Sequence, residues 1–435
     1  MGKKGIAPGL ARRAIAVAVA ALAVAAIGAS PASAGHPGKH RLRTAIFVGN
    51  NWDGTADVIT QRVQTVKKGG KTKHRLKFRR VARLNIIPDI EERMAEISMD
   101  PVRLGYFLGI RELVGEGNDQ FVDDMFSTKD GRLLIVSRPS LRDVVGIRIK
   151  TGEIVWRFVV DGQRSDHMGI SPDGRQVAVS ASTGNVVHIL DTRTGQEVGR
   201  FESGDSPHEN NYSRDGNLIY HASIGLVYTP ADQPQFDTTK GDRWFQIVDA
   251  HTDQILERID MGQKLDEAGY PNMSSAVRPM ALSPDERWVY FQVSFFHGFV
   301  EYSFDQDRVT RTAHLPVADK VKDMPREQYL LDSAHHGIAM NSAGTKLCVA
   351  GTMSDYAAIV SRKTFRYKLI HGGEKPYWST NSLNGHQCYV SWSGSDRLSV
   401  ISYRKEKEIA QIPVGNHPQR VRVGVVRRSW LRAIR

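Results

Sequence analysis

Asp123, Asp166, His208, Arg278, His336 and Tyr377 share one register: each stands five residues ahead of the first residue of a short turn in its own stretch of chain. Two carboxylates, two imidazoles, a guanidinium and a phenol supply an acid, a base and a partner for an oxyanion. Brought together, such a set could bind a small anion or a carbohydrate, or support lactonase- or lyase-like chemistry. Gln419 takes the same place in a further stretch, and His167, Glu209, His335, Trp378, His417 and Arg420 stand beside members of the set. His221 and His297, at the ends of neighbouring apolar runs, could reach the same surface. Whether residues this far apart in sequence ever meet depends on the elements that carry them.

Those elements repeat. The turns are Thr128-Lys-Asp-Gly131, Ser171-Pro-Asp-Gly174, Ser213-Arg-Asp-Gly216, Ser283-Pro-Asp-Glu286, Asn341-Ser-Ala-Gly344 and Ser382-Leu-Asn-Gly385, closing at intervals of 43, 42, 70, 58 and 41 residues. After each turn comes a short apolar run ("RLLIVS", "RQVAVS", "TKLCVAG"), then a second ("VVGIRI", "VVHILD", "YAAIVS") and a third ("EIVWRF", "QEVGRF", "FRYKLI"). Runs this short and β-branched, bounded by Gly, Asp and Pro, are strands. With the strand ahead of each turn they make four per unit, and a period of 41 to 43 residues with four strands is a propeller blade. Six units lie between residues 120 and 412. A seventh is assembled from both chain ends: "HPQRVRVGVV" (417–426) with "TAIFVGN" (44–50), "ADVITQRVQTV" (56–66) and "HRLKFRRVARL" (74–84). The prediction is an all-β, seven-bladed β-propeller over residues 44–426, closed by N- and C-terminal strands that share one blade. Each inner strand then begins beside the central channel, where the set above forms a polar funnel.

The Ser-Pro-Asp-Gly turns, "DTRTGQEV" (191–198) and the Gly-x-x-Pro steps (Gly204 to Pro207, Gly373 to Pro376, Gly415 to Pro418) resemble the bacterial YVTN-type seven-bladed propellers of the quinoprotein-like and cytochrome-d1-like group. The likeness spans most of the chain and implies architecture. That scaffold hosts binders, lyases, lactonases and haem enzymes, so activity does not follow from it. The expected role is a ligand- or protein-binding scaffold in the bacterial cell envelope. The alternative is a propeller enzyme using the same His/Asp/Arg funnel, lactonase- or lyase-like or metal-dependent. Residues 167–201 are the most regular copy of the repeat and read as scaffold, which places any chemistry around His208 and His336 rather than His167.

Irregular segments fall on one face of such a propeller: residues 225–242 between the second and third strands of a blade, and 85–119, 262–276 and 317–331 between blades. In the 85–119 insertion Asp100 can cap, and Pro101 start, a helix running to about Val114, with Val102, Tyr106, Leu108 and Ile110 among its apolar positions. Long loops on a rigid frame are where function concentrates.

The first 34 residues read as a signal peptide: four Lys/Arg, an uncharged run from Ala14 to Ala29, and Ala32-Ser33-Ala34 as a cleavage site. The expectation is a secreted or extracytoplasmic protein cut after Ala34, with a short linker at 35–43, no transmembrane segment and a monomeric state. The chain's net charge is +12. Four cationic residues lie in 1–34, nine in 67–83 and four in a basic tail at 427–435, with no acid in any of them, so the remainder carries −5. Residues 67–83 predict a hairpin with Gly69-Gly70 at its tip, pointing away from the insertion face. Its Lys67, Lys68, Lys71, Lys73, Arg75, Lys77, Arg79 and Arg80 are candidates for docking an anionic cell-wall polymer or a membrane surface.

No cofactor is expected. A metal at His208 and His336 stays open as the lesser alternative, because no tight ligand spacing accompanies them and Arg278 stands alongside. Cys348 and Cys388 fall on second strands of adjacent blades. Sheets packed about 10 Å apart put them beyond disulfide reach, so two buried free thiols are predicted.

Overall fold

The computed structural model describes residues 42–68, 71–227, 239–329 and 333–433. These form seven four-stranded antiparallel sheets arranged as the blades of a propeller. Blade 1 is the shared one: Pro418–Arg427 is its inner strand, followed outward by Leu42–Asn50, Thr55–Lys68 and Lys71–Asn85. Val421 pairs with Val48 and Val423 with Ile46, so the two ends of the chain are hydrogen-bonded into one sheet and no blade edge is left open between them. The inner strands of blades 2 to 7 are Met125–Ser127, Ser165–Ile170, Pro207–Tyr212, Val277–Leu282, Ile338–Met340 and Pro376–Asn381.

The turn motif forms for a local reason. In blade 3 the Ser171 hydroxyl donates to Asp173 Oδ1 at 2.6 Å and accepts from the Gln176 amide at 3.0 Å, while Asp173 also accepts from the Arg175 amide. Backbone donors at the strand start are thereby satisfied within the turn. Gly174 closes it at φ +72°, a left-handed conformation that a side chain disfavours. Ser213/Asp215 and Ser382/Asn384 repeat the same bonds. The strands that follow are buried on both faces, as Val177 to Val179 and Leu347 to Ala350 illustrate, because each blade is covered by its two neighbours.

The 85–119 insertion holds two helices, α1 (Ile90–Met99) and α2 (Pro101–Leu113). Asp100 caps α2 as predicted, accepting from the Val102 and Arg103 amides. Ile110 packs inward with Phe107, whereas Val102, Tyr106 and Leu108 face solvent. Arg103 donates to the Ser140 and Gln163 carbonyls, and buried Arg138 donates to both Asp89 and Asp143. These bonds fix the helices beside the loop between the second and third strands of blade 2.

One expectation changes. Cys348 and Cys388 form a disulfide between blades 6 and 7, with Cα atoms 6.5 Å apart. The spacing of about 10 Å describes sheets stacked face to face. Propeller blades are wedges that converge toward the axis, and the second strands of blades 6 and 7, which carry the two cysteines, come closer than that mean. In the basic tail, residues Arg428–Ala433 are helical, and Trp430 is buried in the apolar cluster shared by blades 1 and 2. Among the described residues no helix is long and apolar enough to cross a membrane.

Candidate functional site

The inner strands do not begin as plain ladders. In blade 3 the pairs Ser165↔Ala181 and Met168↔Val179 leave one extra residue on the inner strand, across Asp166 and His167. The same slip occurs at His208 in blade 4, at Arg278 in blade 5, at Tyr377 in blade 7 and across Gln419 and Arg420 in blade 1. Each is a β-bulge, which re-aims side chains and suspends the strict in/out alternation of a strand. Five bulges at one register turn polar side chains toward a common centre.

The predicted residues do meet there. Asp123, Asp166, His208, Arg278, His336 and Tyr377 are each no more than 5% exposed. His336 stacks on Tyr377 with ring centroids 4.3 Å apart. His208 lies 5.9 Å from His336 on the same measure, and burial beside Arg278 depresses the basicity of both imidazoles. His167 lies at the middle of the group, 3.8 Å from His208 and 5.8 Å from His336 by ring centroids. The expectation that His167 belongs to scaffold is therefore corrected. The bulge carries both Asp166 and His167 inward, where a straight strand would present only one of them.

Arg420 is the second central residue. It is fully buried, its guanidinium carbon lies 3.8 Å above the Trp378 ring, and its terminal nitrogen is 3.8 Å from Asp123 Oδ2. Among the described residues none of its three guanidinium nitrogens has a hydrogen-bond partner, nor do Asp123 Oδ2, His208 Nδ1 or His336 Nδ1. Nearby charges are matched instead: Arg164 pairs with Asp166 at 2.6 Å, and Arg422 grips Asp124 in a bidentate pair. His167 Nδ1 and Glu209 Oε2 are hydrogen-bonded at 2.8 Å.

Other candidates fall elsewhere. His221 is bonded to Ser203, to the Glu209 carbonyl and to Asn210, a structural role. His297 contacts Tyr329 and His335 on the insertion face, and His417 stacks on Trp52. Of the hairpin cations, Arg75 and Lys77 line a groove of about 990 Å³ with Lys346, Arg404, Lys405 and Lys407. The groove also takes in residues of the turns at 341–345 and 385–387, so Arg75 and Lys77 lie on the side opposite the insertions. Lys67 and Arg79 are exposed, and Arg80 turns toward Asp57 at 3.7 Å. The Lys68, Lys71 and Lys73 side chains and the Gly69-Gly70 tip lie outside what is described.

Burial sets the protonation states. It holds His167, His208, His335 and His336 well below the usual imidazole range, and His221 and His417 at about 3. It pushes the Asp123 and Glu209 carboxyls up to about 7. The six imidazoles have folded pKa values below the unfolded one, so below about pH 6.5 the unfolded chain gains protons first and stability falls with acid. The two carboxyls act in the opposite sense between about pH 4 and 7. Six outweigh two, and Tm at pH 5 is expected to lie roughly 5 °C or more below its value at pH 7.5. A Tm that rises on acidification would contradict this.

No family model and no curated protein matches the sequence. Among solved structures, Kuenenia stuttgartiensis hydrazine synthase is similar, with a TM-score of 0.54 and 13% identity over 71% of this chain and 95% of that chain. At that identity the likeness shows the fold.

Proposed function

We propose that this propeller is a binding protein that captures a small oxyanion-bearing ligand, such as a carboxylate, at the ring of bulged inner strands. The observation that carries this reading is Arg420, a fully buried guanidinium with no hydrogen bond among the described residues. Leaving a buried cation unsatisfied costs several kcal/mol, so its natural complement is a bidentate acceptor. Trp378 supports the guanidinium from one side, and the Asp123 carboxyl, with its pKa near 7, can be carried neutral as a donor to a second ligand oxygen. Glu116 of the helical insertion pairs with Lys375 and approaches His417, which puts the insertion beside these strand entries. The test is a thermal-shift screen of small carboxylates, phosphate and sulfate, followed by the Arg420 variant treated in the Discussion.

A second surface is favoured by its own geometry. The groove at Arg75 and Lys77 gathers six Lys/Arg against one acidic residue, Glu408, and suits an extended polyanion of the cell envelope. Residues 1–34 support export, and the YVTN-type resemblance agrees with such a setting. Replacing Arg75, Lys77 and Lys407 by Glu should weaken retention on polyphosphate at least 10-fold and flatten its salt dependence by two to three charges. The material should be exported protein with Gly35 as its first residue. Unchanged retention by the triple variant would remove this second reading.

A further inference from the structure

We propose that His167, His208 and His336 form a binding site for a divalent transition metal ion of the zinc, cobalt and copper class. One ring nitrogen from each lies within 4.8 Å of the others; His167 and His208 are on the inner strands of blades 3 and 4, and His336 stands two residues ahead of the inner strand of blade 6. Metal–nitrogen bonds of about 2.0–2.1 Å at tetrahedral angles require donors about 3.3 Å apart, which small rotations of the rings achieve. The inference goes beyond oxyanion capture and does not depend on it.

Four observations bear on it. First, all three imidazoles are no more than 3% exposed, and Nδ1 of both His208 and His336 has no hydrogen-bond partner, so lone pairs remain available inside a closed site. Second, burial keeps the rings neutral at pH 7, the form that ligates. Third, His167 is held through Nδ1 by Glu209 at 2.8 Å, the carboxylate–histidine arrangement that orients a metal ligand, while its Nε2 lies 3.6 Å from Asp166 Oδ1. Fourth, Asp123 and Asp166 offer oxygens within 4.8 Å of the His167 donor, giving a possible fourth ligand.

Arg278 and Arg420 are the objection, since both positive charges depress these histidines. Three carboxyl groups, Asp123, Asp166 and Glu209, lie beside His167, and a bound cation would favour their ionised form, which offsets the two guanidinium charges. Three neutral nitrogens without a thiolate favour zinc, cobalt or copper over magnesium or calcium, which prefer oxygen.

The test uses the whole exported chain, stripped with chelator and held in chloride buffer without carboxylate or phosphate. Co²⁺ should bind one per chain with visible d–d absorption of low-coordinate cobalt, and Zn²⁺ should displace it. His208→Ala and His336→Ala should each weaken binding at least 100-fold, while His251→Ala, at an exposed site, should not. Retention of Co²⁺ by Arg420→Met separates this inference from oxyanion capture. In the unaltered protein, Cu²⁺ resonance should carry hyperfine splitting from three nitrogens, a reading that needs no variant. Absence of one-to-one binding, indifference to both histidine substitutions, or an oxygen-only Cu²⁺ spectrum would overturn the proposal.

Discussion

Arg420→Met should abolish binding of the oxyanion ligand while leaving the propeller as stable as before, or more stable. A residue kept for structure behaves the other way, because its loss weakens the fold. Arg420 is buried, has no hydrogen bond, and meets Asp123 only at 3.8 Å. Replacing a buried, poorly satisfied charge by an apolar side chain of similar length is commonly stabilising by about 1–4 kcal/mol. For a chain of this size that corresponds to a Tm increase of roughly 1–5 °C. Asp123 does not strand a charge in the variant, since its carboxyl already titrates near 7 and can take up a proton. Loss of the bidentate partner should weaken binding at least 100-fold, about 2.7 kcal/mol. A large drop in Tm with Arg420→Met would mark the residue as structural and the site as misread.

The second large effect concerns the Cys348–Cys388 bridge. It closes a loop with a sequence separation of 40, for which chain entropy predicts about 4 kcal/mol of stabilisation. Replacing both cysteines by Ala should therefore lower Tm by roughly 5 °C under non-reducing conditions. The bridge joins blades 6 and 7, which carry His336 and Tyr377, stacked 4.3 Å apart. Ligand affinity should fall with it, and more steeply than for an equally destabilising change in blade 2. Equal Tm values for the two proteins would mean that the thiols are not joined in solution.

How much of this was legible in the sequence can be argued residue by residue. The turn motif announces itself because Ser171, Asp173 and Gly174 each have a local task that few other residues can perform. From those turns the blade count, the shared blade and the register of Asp123, His208, Arg278, His336 and Tyr377 follow by counting. What counting cannot register is a bulge, which adds one residue without changing composition. His167 and Arg420, the two most central residues, are the ones the bulges turn inward beside Asp166 and Gln419. Reading both residues at each strand start as inward-facing would have found them. The disulfide was missed for a different reason, a mean sheet spacing applied where wedge-shaped blades converge.

The central claim is that the ring of bulged strands is a ligand site built around Arg420. Isothermal titration of the stripped protein with acetate, malonate, succinate, phosphate and sulfate tests it most directly. At least one should bind with a stoichiometry of one per chain, keep its affinity when Lys77 is changed to Glu, and lose it when Arg420 is changed to Met. No binding by any of them, or binding that survives Arg420→Met, would contradict it.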